Sequence, residues 1–199
     1  MTATNTAQYS KRVDEALTLV ADAFRNHIRK GSRTPYLFHL LQVATWVGEY
    51  GGSEDQMIAA LLHDYLEDIE GATESFLTDR FGEHVTSLVV ALSDSTTYPK
   101  DPWLPRKERY VRSLSQATAE IKLISVCDKL HNAETIVRDL PSLGDVVWQR
   151  FTATPEQSLW YYRAVTKALA RDFSHPLLDK LKECVIAMHA LAGEQLSSF

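Results

Sequence analysis

The sequence predicts an all-α fold: one compact bundle of several helices, with residues 1–199 forming a single domain. Three observations carry this expectation. Apolar residues recur three and four positions apart in segment after segment, which is the period of a helix face. Glycines, prolines and capping residues mark the breaks between those segments. The chain has 199 residues with 45% hydrophobic content, enough for one sizeable core, and shows no internal repeat, low-complexity tract or second domain.

Each element follows in order. Met1 to Gln8 reads as a frayed lead-in. Val13, Ala16, Leu17, Val20, Ala21, Phe24 and Ile28 form one stripe, so a first helix is expected from Ser10 to Ile28, stopped at Arg29-Lys30-Gly31. Thr34-Pro35 opens a second helix that runs to Gly51-Gly52, since proline is preset for a first helical turn. Ser53 with Gln56 is a capping box for a third helix, which is expected to continue into His63-Asp64. After Gly71, Thr73 to Arg80 is a short helix, and Phe81-Gly82 turns into a fourth major one from Glu83 to Leu92. Ser93 to Pro105, with three prolines, is a long loop and a candidate rim. A helix starting with Arg106, Lys107, Arg109 and Arg112 follows, then one from Glu120 to Asp139. A connection with a short helix at Asp145 to Phe151 leads to the C-terminal helices, residues 155–192.

Composition narrows the function classes. The net charge of −5 argues against a nucleic-acid polymer as partner, which selects a basic surface, but allows a small anionic nucleotide held by a local basic cluster. No run has membrane-spanning length and the N-terminus lacks a hydrophobic signal region. Cys127 and Cys184 sit in apolar helical runs without partner cysteines, as free thiols do in a reducing compartment. The expectation is a cytoplasmic protein with no membrane partner. A homo-oligomer is left open.

The chemistry concentrates in His63-Asp64-Tyr65-Leu66-Glu67-Asp68, which ends an apolar run. An adjacent His-Asp pair is costly to bury without compensation. A divalent metal ion supplies it, because imidazole and carboxylate suit Mn, Fe, Co, Ni or Zn. His39 and Asp128 each stand inside a further apolar helical run, at a position where a buried polar group needs a partner. Glu67-Asp68 falls one turn beyond the His-Asp pair, so those acids project near the ion. Arg29-Lys30 either caps its helix or clamps a phosphate or purine. Lys107 and Arg109 belong to a second basic patch suited to phosphate. The Trp160-Tyr161-Tyr162 cluster reads as core with one ring, Tyr162, offered to a base or ribose.

The order His39 … His63-Asp64 … Asp128 resembles the HD phosphohydrolase superfamily. From about Phe24 to about Arg138 the likeness narrows. Arg29-Lys30, Thr34-Pro35-Tyr36 leading to His39, Leu61-Leu62-His63-Asp64 with Glu67-Asp68, Phe81-Gly82-Glu83-His84-Val85 and Asp128-Lys129-Leu130-His131-Asn132 resemble the hydrolase domain of the Rel/SpoT family. The chain departs from that pattern at Leu40, where the family has proline, and at Ile69, where it has threonine.

The resemblance implies an HD-domain bundle and a small alarmone hydrolase that removes the 3′-pyrophosphate of ppGpp or pppGpp. It implies one divalent ion, Mn²⁺ in that family, on His39, His63, Asp64 and Asp128. It implies catalytic roles for Glu67 and Asp68, and nucleotide contacts from Arg29, Lys30 and Asn132. Other readings of the same residues are a phosphohydrolase for an adenine alarmone, the 2′-phosphate of NADPH or a nucleoside phosphate, a non-catalytic nucleotide-binding module, or a plain helical interaction protein.

Overall fold

The structure is a computed structural model that describes residues 9–97, 99–196 and 199. The expected lead-in at Met1 to Gln8 lies outside the described residues. Helices run α1 (Lys11–Ala23), α2 (Leu37–Glu49), α3 (Glu54–Leu62), α4 (Tyr65–Asp68), α5 (Glu74–Leu92), α6 (Trp103–Ser115), α7 (Ala119–Leu143), α8 (Pro155–Ala170) and α9 (Pro176–Leu191), with a 3-10 helix at Gly144–Arg150. Among the described residues there is no strand, only an isolated bridge between Ile28 and Pro35. The fold is the expected all-α bundle.

α7 is the axis of the bundle. Its segment from Lys122 to Asp128 is buried without interruption, because α2, α3, α5, α8 and α9 all pack on it. A helix surrounded in this way needs apolar residues on every side, which Leu123, Ile124, Val126 and Cys127 provide. Lys122 survives there because its ammonium reaches the carbonyl of Arg171 just past the end of α8, a cation on an orphan C-terminal carbonyl. α1, α3 and α5 stack on one another through Ala16, Val20, Ile58, Ala59, Val85 and Val89.

Two boundaries that differ from the sequence reading shape the site. α1 ends at Ala23 and Phe24 caps it. Residues 27–36 form a turn instead, in which Arg29 N–H donates to Thr34 (2.9 Å) and Tyr36 N–H to His27 (2.9 Å). The basic pair therefore sits on a loop anchored at both ends. α3 ends at Leu62, not at Asp64. His63 is its C-cap and Asp64 leaves the helix at φ −99°, ψ 1°, the bridge region common at turns and active sites. The break solves a geometric difficulty, since helical neighbours point about 100° apart. Leaving the helix lets both side chains converge.

The expected opening of α2 at Thr34-Pro35 is not seen: Pro35 bridges Ile28, and the helix begins at Leu37 with Tyr36 as its N-cap. Ser53–Gln56 is a capping box, and so is Thr154–Gln157 at α8. Gly82 interrupts α5 at φ 87°, the turn that Phe81-Gly82 predicted. α6 opens at Trp103, so Pro105 falls within its first turn rather than in the loop.

Candidate metal centre and active site

Four side chains from two helices and one joint meet at a point. His39 comes from α2, His63 and Asp64 from the α3–α4 joint, and Asp128 from the middle of α7. His39 Nε2 lies 3.1 Å from Asp128 Oδ1 and 3.8 Å from Asp64 Oδ2. His63 Nε2 lies 3.0 Å from Asp64 Oδ2 and 3.6 Å from Asp128 Oδ1. Both Nε2 atoms are buried and lack a hydrogen-bond partner. His39, His63 and Asp128 offer ligand atoms within 4.8 Å of one another. Two imidazoles and two carboxylates with converging lone pairs form a donor set that suits a divalent metal ion, and an ion removes the cost of the orphaned nitrogens.

The layer behind these ligands orients them. His63 Nδ1 is 2.7 Å from the Ala60 carbonyl, so Nδ1 carries the proton and Nε2 presents its lone pair. His39 Nδ1 lies 2.7 Å from His131 Nδ1, and the two rings stack at 4.9 Å. Burial, then His39 and Arg29, lower the His131 pKa to about 4, which leaves it neutral and able to accept. Tyr36 donates to Asp64 Oδ2 at 2.6 Å. Asp128 is held by Lys129 and by Asn132, whose Nδ2 donates at 2.6 Å. Burial raises both carboxyls, but Lys129 holds Asp128 well below the carboxylate range and His63 does the same for Asp64.

Glu67 and Asp68 stand on α4, one turn past the joint. Asp94 N–H donates to Glu67 Oε1 at 2.7 Å. Lys100 Nζ lies 3.7 Å from Glu67 and 3.6 Å from Asp68. Burial, reinforced by Asp94 and Asp64, pushes Glu67 up to about 7. Burial and Asp64 also raise Asp68. The Asp94 side chain is itself buried and paired with Arg106 and Lys107, which ties Asp94 to α6.

Two chambers open on this cluster. The smaller, about 100 Å³, is bordered by His63, Asp64, Glu67, Asp128, Lys107 and Tyr161. The larger, about 450 Å³, is bordered by His39, Asp68, Arg29, Lys30, Arg138 and Arg150 among others. Tyr36 and Asn132 border both.

The structure brings most of the expected residues here. Arg29 and Lys30 line the larger chamber, and Lys107 lines the smaller one. Asn132 carries a role unforeseen in the sequence: its Oδ1 accepts from Arg29 at 2.9 Å while its amide holds Asp128. Arg109 points elsewhere, pairing with Asp101 at 2.6 Å in a half-exposed position, and borders neither chamber. Tyr162 is buried and likewise borders neither, whereas its neighbour Tyr161 lines the smaller one with a buried, unpartnered hydroxyl. Residues one apart on α8 point to different surroundings, and the aromatic run gave no phase to choose between them.

The fold and the cluster define an all-α bundle with a buried His-His-Asp donor set suited to a divalent metal ion. The profile of the HD domain family matches residues 16–155. The chain belongs to the HD-domain family, as a Rel/SpoT-like hydrolase domain within it. It is 33% identical over 132 residues to a guanosine-3′,5′-bis(diphosphate) 3′-pyrophosphohydrolase of Aquifex aeolicus, a match spanning 65% of this chain but 18% of that protein. It is 33% identical over 131 residues to the Mus musculus guanosine-3′,5′-bis(diphosphate) 3′-pyrophosphohydrolase MESH1, spanning 64% of this chain and 71% of that one. A solved metazoan ortholog of SpoT, which hydrolyzes ppGpp, superposes with TM-score 0.71 at 28% identity and covers 90% of this chain and 96% of its own. Among the described residues no helix is long and apolar enough to cross a membrane.

Proposed function

We propose that this protein is a metal-dependent (p)ppGpp 3′-pyrophosphohydrolase, releasing pyrophosphate and leaving GDP or GTP. One observation carries the reading: two orphaned imidazole nitrogens face two carboxylates, with a third carboxylate near neutrality, Glu67, one turn away. The names of the relatives supply the substrate.

His39, His63, Asp64 and Asp128 would hold one divalent ion, which we assign as Mn²⁺. Bound there, the ion acidifies a water and neutralises charge on the scissile phosphate. His39 Nδ1–H donates a hydrogen bond to His131 Nδ1, so both histidines would offer Nε2 to the ion. Glu67 accepts the proton of the attacking water, a task suited to a carboxyl titrating near operating pH. Water adds to the phosphorus on the ribose 3′ oxygen, the P–O3′ bond breaks, and the 3′ oxygen takes up the proton that Glu67 received. Lys100, between Glu67 and Asp68, and Lys107 face the charge of the departing pyrophosphate. Asp68 orients substrate or water, and Arg29 and Lys30 hold the nucleotide with Asn132 setting the Arg29 side chain. The setting is the cytoplasm, with a small nucleotide and no nucleic-acid polymer or membrane as partner.

The test is ppGpp turnover followed by ion-exchange chromatography, with Mn²⁺, with chelator, and with Asp64→Ala. The expected result is GDP plus pyrophosphate from the loaded protein, and at least about a 10³-fold loss in the other two arms. Products appearing equally with chelator would sink the reading.

A further inference from the structure

The larger chamber carries more positive charge than a single phosphorylated end of a substrate requires. Arg29, Lys30, Arg138 and Arg150 line it against one acid, Asp68. Arg150 is the unusual member, because its side chain is only 8% exposed yet borders the chamber. Two features place it. Asp139 Oδ2 accepts from its Nη1 at 2.6 Å. Gly31 leaves room for its arm: a Cβ there would stand 2.0 Å from Arg150 Nε, and Gly31 has φ +73°, a conformation that disfavours any side chain.

Asp139 also accepts from Arg138 Nε at 2.9 Å. One carboxylate thus serves two guanidiniums. The pair keeps net positive charge, and each guanidinium has five N–H donors, most of them unspent on Asp139. Arg138 and Arg150 border the larger chamber and not the smaller one that holds His63, Asp64 and Asp128. Their charge is therefore placed for a group other than the phosphate at the metal cluster. A carboxylate-braced guanidinium is pre-organised for bidentate phosphate binding.

We propose that Arg150, assisted by Arg138, is a specificity-determining residue that binds phosphate at the end of the nucleotide remote from the scissile bond. For ppGpp that remote group is the 5′-diphosphate. The proposal rests on the function above only in placing the scissile phosphate at the metal cluster.

The test is calorimetric binding of GDP and of guanosine to the intact Mn²⁺-loaded protein. Wild type should bind GDP at least about tenfold more tightly than guanosine, the scale of one charge-assisted phosphate contact. Arg150→Gln should shrink that preference to roughly threefold or less while leaving guanosine affinity in place. Arg138→Gln, at a side chain 71% exposed, should lose an intermediate share, and it decides the matter if the Arg150 variant does not fold. An undiminished GDP preference in the folded variants overturns the proposal, as does a wild type without that preference. Neither ligand carries a 3′-pyrophosphate, so the outcome is independent of whether ppGpp is hydrolysed. A parallel hydrolysis assay separates failure of the two readings.

Discussion

The proposed metal pocket and the basic rim are built by opposite strategies. The pocket draws its ligands from the most buried helices: His39 and His63 are 1% and 3% exposed and Asp128 is 6% exposed. Each ligand has a dedicated partner behind it: His131, the Ala60 carbonyl, Tyr36, Lys129 or Asn132. The rim of the larger chamber draws its cations from the 27–36 turn (Arg29, Lys30), the last two turns of α7 (Arg138) and the 3-10 helix (Arg150). The difference separates two tasks. Bond breaking needs groups fixed within a fraction of an ångström, which only packed helices supply. Recognition of a polyphosphate tolerates looser geometry and benefits from charge that can close on the ligand.

Glu67 lies on the boundary between the regions, and its replacement gives the largest effect that probes the contrast. Glu67→Gln should lower kcat by about 10²–10⁴-fold, as loss of a general base does, with metal content unchanged. In the wild type, activity should fall as pH drops through about 7, where Glu67 gains its proton. Stability moves the other way. The folded pKa is raised above the ordinary 4.5, so the buried charge costs stability above the folded value, and the cost disappears as pH falls below the unfolded value. Metal-free Glu67→Gln should therefore be more stable than wild type by about 1–2 kcal/mol at pH 8 and equal to it below about pH 4.5. Denaturant melts at both pH values check this. An equal stability difference at both would remove the buried charge as the cause.

His131 tests the pocket's second layer. His131→Ala removes the acceptor that fixes His39. The expected result is about 10–100-fold weaker metal affinity, the usual cost of losing such a partner, with kcat largely recovered at saturating metal. Unchanged affinity by competition with a chelating dye would mean that helix packing alone orients His39.

Legibility in the sequence followed the same division. The candidate ligands are visible because a polar residue inside an apolar helical run violates its surroundings, as His39 and Asp128 do. The basic pair at Arg29-Lys30 was visible as a cluster. His131 and Tyr36 were not singled out, because each is ordinary on a helix flank until folding brings it to a ligand more than 25 positions away, as with Tyr36 and Asp64. Asp94 and Lys100 lie in a proline-rich loop whose path periodicity does not specify, and Arg150 depends on the vacancy at Gly31, a relation across 119 positions of chain that no local pattern encodes. The break at Asp64 was missed because Leu61, Leu62, Tyr65 and Leu66 keep helical spacing through it.

Arg109 stands outside both chambers, and its replacement should have the smallest effect. Position in the sequence groups it with Lys107 as one basic patch. The structure divides the two: Lys107 turns inward to Asp94 and the Tyr161 ring, with Nζ 4.9 Å from the ring centroid, while Arg109 pairs with Asp101 at the surface. An exposed ion pair contributes about 0–1 kcal/mol, and a cation outside both chambers has no direct hold on the nucleotide. Arg109→Gln should leave kcat and KM for ppGpp within about twofold of wild type and the melting midpoint within about 2 °C, the scale of a near-neutral surface change. A selective rise in KM would show that the 93–102 loop closes over bound nucleotide and carries Asp101 and Arg109 inward. The rim would then be a moving part of the site rather than its fixed border, and the contrast with the rigid pocket would sharpen into one between a static centre and a mobile edge.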